Sequence, residues 1–374
     1  LEPEKYTVLG LMSGTSLDGV DAAFLETDGK QILSIGPSLE LPYSLEERIA
    51  LQDATKSALR WQFKGASPNS FAHAEQIIHD THYRAVKAIC QANPDWAQRL
   101  DMIGFHGQTV LHHPATAKTQ GQTLQLGDAK RLALATGKPI YHDFRSNDVA
   151  EGGQGAPLAP VYHRALVELA GISGPVALLN LGGVGNVTIV KSDGQIMASD
   201  TGPANGPLDS WVESFDAGGF DKGGHIALSG IPDFALIETW LNAPFFQRDL
   251  PRSADRYDFD VLADMALMTI DDGAATLAAF TALSVTKTLS ELHIMPHTMI
   301  VCGGGRHNRA IMWMLTEHVG CDVTPADEYG WNSDAIEAQA FAYLAVRSKL
   351  GLPLSFPETT GVQKPVSGGR VAYP

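Results

Sequence analysis

Cysteine is scarce in this chain of 374 residues. Cys90, Cys302 and Cys321 form an odd set with no CxxC spacing, which argues against both a disulfide framework and a zinc site. A reducing, cytoplasmic setting is therefore expected. Basic residues are also outnumbered, 27 Lys and Arg against 42 Asp and Glu, leaving a net charge of −15. Nucleic acid is not an expected partner, because phosphate backbones require basic surfaces. A nucleotide stays open, since backbone amides hold phosphates on acidic proteins too. No apolar run reaches the ~18 residues needed to span a bilayer. The start, LEPEKYTVLGLMSGTS, also lacks the basic and apolar regions of a signal peptide, so no membrane association is expected. With 44% hydrophobic and 18% charged residues, the chain has the balance of a globular protein and the length for two domains with separate cores.

Glycine, by contrast, is plentiful, and it clusters. The segment YTVLGL reads as a buried strand, SGTSLDG as a polar turn and VDAAFLET as a second strand, together a hairpin. Helical spacing covers 45–60 and 69–92, and DAKRLALAT predicts a helix from Asp128 to a C-capping Gly137. At Val176 the opening pattern returns as VALLNLGGVGNVTIV, read as an internal repeat with one copy per domain. A helix is expected from Ala274 to Leu292, then a strand, HTMIVC, meeting a triple glycine, then a helix from Asp334. The tail from Gly351 reads as an irregular surface strand.

Three glycine-rich turns therefore each follow a buried strand. The first contains Ser13, Gly14, Thr15, Ser16, Leu17, Asp18, Gly19 and Val20; the second runs from Gly182 to Asn186, with Gly182 and Gly183 at its centre; the third is Gly303, Gly304 and Gly305. Successive N–H groups in such turns make anion nests, and a helix start after glycines suits a nucleotide. A tight hairpin without ligand is the other reading of any one turn. Neither GxxxxGK[ST] nor GxGxxG is present, so the Walker and dinucleotide fingerprints are unsupported. Asp200, in SDTGPANGPLDSW, has the placement of a general base, with an Asx turn as the alternative. Asp209 fits capping as well as chemistry. Arg145 and Asp148, in a glycine-rich loop, could grip a sugar hydroxyl or carboxylate, or form an internal ion pair. His106 and Gln108 could hydrogen-bond a substrate, whereas His112 and His113 lack metal-ligand spacing.

In order, GLMSGTSLDGVD, IGFHGQTVLHHP, DFRSNDVAEGGQGAPLAP, LNLGGVGNVT, DTGPANGPLD and VCGGGRHN strongly resemble the anhydro-N-acetylmuramic acid kinases, from about Leu9 to the helix containing Glu337. The resemblance implies an α/β, two-lobed actin/hexokinase-like (ribonuclease H-like) ATPase fold with a central interdomain cleft. Lobe I would span 1–155, with the segment from about 334 to 374 returning to it, and lobe II 156–333. The first two turns would face the ATP phosphates and the third the adenosine. The resemblance implies ATP with Mg²⁺ and one reaction with two parts. Water, activated by Asp200, opens the 1,6-anhydro ring of anhydro-N-acetylmuramic acid while O6 takes the γ-phosphoryl, giving N-acetylmuramic acid 6-phosphate and ADP in cell-wall sugar recycling. His106, Arg145, Asp148, Asp209 and Glu337 would line or brace the sugar side. Many superfamily members carry aspartates where this chain has Met12 and Asn180, so the metal ligands are not assigned. Two other functions fit parts of the pattern: ATP-independent ring opening by Asp148 and Asp200 as paired carboxylates, and a non-catalytic sugar or nucleotide sensor. The assembly state is open, with a homodimer among the alternatives.

Overall fold

A computed structural model describes residues 4–114, 120–254 and 258–374. Its strands are β1 (Tyr6–Ser13), β2 (Gly19–Thr27), β3 (Ile32–Pro42), β4 (Leu100–His113), β5 (Gln122–Leu126), β6 (Ile140–His142), β7 (Val176–Leu181), β8 (Val184–Val190), β9 (Ile196–Pro203), β10 (Thr298–Cys302), β11 (Asp322–Pro325) and β12 (Arg370–Ala372). The chain forms two compact units: Leu1–Leu169 with Ala335–Pro374, and Ala170–Asp334. The boundary falls later than position 155 because the helix Pro160–Ala170 packs in unit 1, where Tyr162 Oη donates to Gln339 Oε1 at 2.7 Å.

In unit 1 the strand order is β12-β6-β4-β1-β2-β3, with β5 added to β4. β1, β2 and β3 form an antiparallel meander, and β4 and β6 continue the sheet in parallel from β1. β1 is buried along its whole length, as its apolar run requires. The helix Ile336–Lys349 lies so close to this sheet that a side chain at Gly10 or Gly104 would collide with the helix carbonyls Ala338 O and Phe341 O. Two glycines in mid-strand thus let a helix backbone approach a strand backbone. The helices Leu45–Trp61 and Ser70–Ala92 match their predicted spans, the former opened by a Ser44/Glu47 capping box. The helix Ala129–Thr136 starts at the Asp128 cap and stops at Gly137 in the left-handed region.

Unit 2 repeats the plan. Its order is β11-β10-β7-β8-β9: an antiparallel meander of β7, β8 and β9, then β10 and β11 in parallel beyond β7. Both sheets therefore have the ribonuclease H-like order, and the repeat read in the sequence is a repeat of topology. Behind the sheet runs the helix Ile270–Glu291, buried on most of its circumference, which explains its runs of Ala, Thr and Ser. It begins four residues before the predicted Ala274 because Thr269 caps it, accepting from Asp272 N, with Asp271 and Asp272 favourably placed in its first turn. After β10 the chain makes a short 3-10 turn, Gly304–His307, before the helix Arg309–His318, whose cap Asn308 accepts from Ala310 N and Ile311 N. The tail from Gly351 ends in β12, paired antiparallel with β6.

Candidate active site

In unit 1 the first turn closes the β1–β2 hairpin. Thr15 and Ser16 are exposed at its tip, while Leu17, at φ 59°, drops its side chain into the core. Val20 is also buried, so Leu17 and Val20 can offer a ligand only backbone atoms. Asp18 is exposed and lies 3.6 Å from Arg48. Ser13 faces inward: its hydroxyl donates to Gln108 Oε1 at 2.5 Å and lies 3.0 Å from Tyr43 Oη. Gln108 Nε2 donates to Gly14 O at 3.1 Å, so this buried amide braces the turn. Met12 is buried as well.

A second cluster in unit 1 is built on β4 and the loop after β6. His106 Nδ1 lies 2.7 Å from Gly107 O, so it carries the proton and donates. Its Nε2 then accepts from Arg145, with Nη2 at 3.0 Å and Nε at 3.2 Å. Burial, and next the Arg145 charge, hold the His106 pKa well below the usual range, keeping the ring neutral. Arg145 Nη1 also donates to Gly155 O at 2.8 Å. The carboxyl of Glu337, at the start of the helix Ile336–Lys349, has a pKa raised by desolvation and pulled back by Arg145. Asp148 is 2% exposed; its Oδ1 accepts from Gly155 N and its Oδ2 from Thr360 Oγ1, both at 2.6 Å. Those bonds tie the glycine-rich loop to the tail and commit both carboxylate oxygens.

In unit 2, β10, β7, β8 and β9 place Cys302, Asn180, Asn186 and Asp200 opposite one another in register, so their side chains line one face of the sheet. Asp200 lies within β9 rather than just beyond a strand, beside a bulge that leaves Thr201 unpaired. Its Oδ2 accepts from Ala254 N at 2.7 Å, with Ser253 Oγ at 3.5 Å. That segment is anchored by Arg252, whose carbonyl accepts from Asp200 N at 3.0 Å and whose side chain bonds Thr288 Oγ1 and Glu291. Asp209 is half-buried on the helix Asn205–Glu213.

Asn205 braces the second turn. Its N–H donates to Gly182 O at 2.9 Å, and its Nδ2 donates to Leu181 O at 3.1 Å. The third turn is held by buried Arg306, which bonds Gly303 O, Asp327 and both oxygens of Asp334. Burial opposes the Arg306 charge, but the bonds to Asp334 and Asp327 outweigh it and raise its pKa.

The glycines divide into two groups. Gly303, at φ 76°, would clash with Asn180 Oδ1, Gly305 with Leu181 Cβ at 2.6 Å, and Gly19 with Leu41 O at 2.5 Å, so the fold itself requires these three. Gly14, Gly182, Gly183 and Gly304 are different. None has a left-handed φ, and a Cβ there would meet nothing closer than 3.6 Å; at Gly183 it would meet nothing within 4 Å. Neither sterics nor conformation explains glycine at these four positions. Such openness leaves room for a ligand to approach the backbone. Met12 is buried and Asn180 is an amide, and among the described residues no group of three or more His, Cys, Asp or Glu is arranged to hold a metal.

Sequence reading placed Asn186 only as the end of the second turn and did not single out Asn205 or the Arg306 brace, although all three lie inside the quoted motifs. Arg252 gave no local signal, being fifty-odd residues from the strand it serves.

Two ribonuclease H-like sheets, each ending its strands in glycine turns with room for a ligand, define an α/β protein of the actin/hexokinase-like fold class. The family model for anhydro-N-acetylmuramic acid kinase matches residues 6–374. The chain is 46% identical over 365 residues to the protein of that name from Caulobacter vibrioides, covering 97% of this chain and 98% of the relative. It is 45% identical over 368 residues to the one from Phenylobacterium zucineum, covering 98% and 99%. The chain belongs to the anhydro-N-acetylmuramic acid kinase family, and it is a kinase. No helix among the described residues is long and apolar enough to cross a membrane.

Proposed function

We propose that the chain uses ATP to open the 1,6-anhydro ring of anhydro-N-acetylmuramic acid with water and to phosphorylate O6, in cytoplasmic recycling of cell-wall sugars. The observation that carries ATP use is the open space at Gly14, Gly182, Gly183 and Gly304. Backbone N–H groups of the three turns would take the phosphates and the adenosine, with the exposed hydroxyls of Thr15 and Ser16 adding donors. Mg²⁺ would come with the nucleotide phosphates, and no protein ligand is assigned to it.

Asp200 is the base. Ala254 N orients its carboxylate, which takes a proton from water as the water oxygen bonds C1. The C1–O6 bond breaks, and O6 bonds the γ-phosphorus as the bond to the ADP oxygen breaks. The proton on Asp200 then passes to solvent, so atoms and charge balance. Neutral His106 with cationic Arg145 forms a polar group suited to an anionic or hydroxyl-rich sugar, flanked by Glu337. Asp209 would support the sugar side, and Asp148 would act by holding the loop that carries Gly155. The commitment of both Asp148 oxygens speaks against a paired-carboxylate hydrolase.

The test is turnover in ¹⁸O-labelled water with Mg-ATP and the anhydro sugar. Label at C1 together with phosphate at O6 is the expected result. A phosphorylated sugar with its anhydro ring intact, or ring opening without ATP, would overturn the reading.

A further inference from the structure

The row of side chains across the unit 2 sheet contains one amide with no partner. Asn186 stands opposite Asp200 in the β8–β9 register, on the same face of the sheet. It is half-buried, and among the described residues its carboxamide makes no hydrogen bond to protein. The local pairing brings the two side chains near. Asp200 N donates away from β8, to Arg252 O at 3.0 Å, so the Asn186–Asp200 pair is of the non-hydrogen-bonded kind. In such pairs facing Cβ atoms stand roughly 4.5–5.5 Å apart. The Asp200 carboxylate does not turn freely toward this neighbour, because Ala254 N fixes Oδ2. One water molecule can therefore bridge the carboxamide and the carboxylate. A half-buried amide is costly to leave unmatched unless something polar joins it.

We propose that Asn186 is a positioning residue for the nucleophilic water. Its carboxamide hydrogen-bonds the water that Asp200 deprotonates, aligning a lone pair with the sugar carbon. The inference rests on the reading of Asp200 as the base. Asn186 moves no proton itself; its effect is on orientation, and it favours the ionised carboxylate through the shared water.

The experiment compares Asn186→Ala, Asn186→Ser and Asp200→Asn in the full chain with Mg-ATP and the anhydro sugar. Asn186→Ala is expected to lower kcat by about 10- to 100-fold, to leave the ATP dissociation constant within about twofold, and to move the acid limb of the kcat/KM profile to higher pH. The serine variant, with a shorter hydrogen-bonding group, is expected to recover part of kcat. Wild-type kcat in Asn186→Ala beside an inactive Asp200→Asn would overturn this proposal alone. So would a fall in kcat matched by lost ATP affinity, which would move Asn186 to the nucleotide, or a fall with an unshifted pH limb and no gain from serine, which would make the role structural. An active Asp200→Asn would instead remove the base reading on which the proposal stands.

Discussion

Single residues in this protein separate into those that hold a turn and those that the proposed function sets against a ligand. Gln108 is 1% exposed and uses both ends of its amide on the first turn. Gln108→Ala strands the Gly14 carbonyl and leaves the Ser13 hydroxyl with Tyr43 Oη alone, at a cost of about 1–3 kcal/mol in urea unfolding. The KM for ATP should rise by about tenfold, because the turn loses its shape; an unchanged KM would separate Gln108 from nucleotide binding. Asp200 behaves in the opposite way. Asp200→Asn keeps the shape and can still accept from Ala254 N, but it cannot take a proton, so kcat should fall by about 10²- to 10⁴-fold with ATP binding retained. Calorimetric titration with ATP and a turnover assay on the same preparation check both halves. Asp148 belongs with Gln108. Its residue type and glycine-rich setting suggested a substrate contact, and only the partners of its two oxygens reveal a brace.

At the scale of elements, legibility followed the range of the forces involved. Helix limits set by caps, such as Asp128 to Gly137, could be read locally, as could the strand–turn–strand of β1 and β2. The glycine turns were visible too, but which glycines serve packing and which leave room depends on strands distant in sequence, as Gly303 against Leu181 shows. Arg252 is the clearest case of what could not be read. Its guanidinium is 1% exposed, lies over the rings of Phe245 and Phe246, and pairs with Glu291 at 2.9 Å. Arg252→Leu should cost about 3 kcal/mol, the low end for a broken buried pair, because Glu291 keeps 29% exposure and can hydrate. If the segment orients Asp200, kcat falls with stability; lost stability at full kcat would deny that role. In unit 1, the helix Ser70–Ala92 buries His82, whose Nδ1 donates to Ile78 O at 2.7 Å and whose pKa burial lowers to about 4. The unfolded chain binds this proton first as pH falls, so the contribution is complete above ~6.5 and is lost progressively towards pH 4. His82→Phe should remove up to about 3 kcal/mol of the wild-type loss over that window. Urea midpoints at pH 7 and pH 4.5 measure it, and equal losses in the two proteins would refute it.

The whole molecule is one topology used twice with different connectivity. Unit 2 is a single stretch, 170–334, and contains every partner of its Arg306 brace, Asp334 included. Unit 1 is completed only when the chain returns at Ala335. The returning helix packs on β1, β2 and β4, and in doing so it buries Phe341, Tyr343, Leu344 and Val346. At about 1.5–3 kcal/mol for each large side chain removed from water, these four contribute roughly 6–12 kcal/mol as an upper estimate. That is comparable to the entire net stability of an ordinary domain, about 5–15 kcal/mol. A fragment 1–169 should therefore lack a cooperative urea transition and expose the apolar sheet face that the helix covers. A fragment 170–334 should unfold cooperatively by itself. Adding the segment 335–374 as a peptide should restore a transition to the first fragment, because it joins unit 1 through packing, hydrogen bonds and the β12–β6 pairing, none of which needs a covalent link. Circular dichroism across a urea series distinguishes the outcomes. A cooperative 1–169, or a 170–334 without a transition, would show that stability is not divided along the topological repeat.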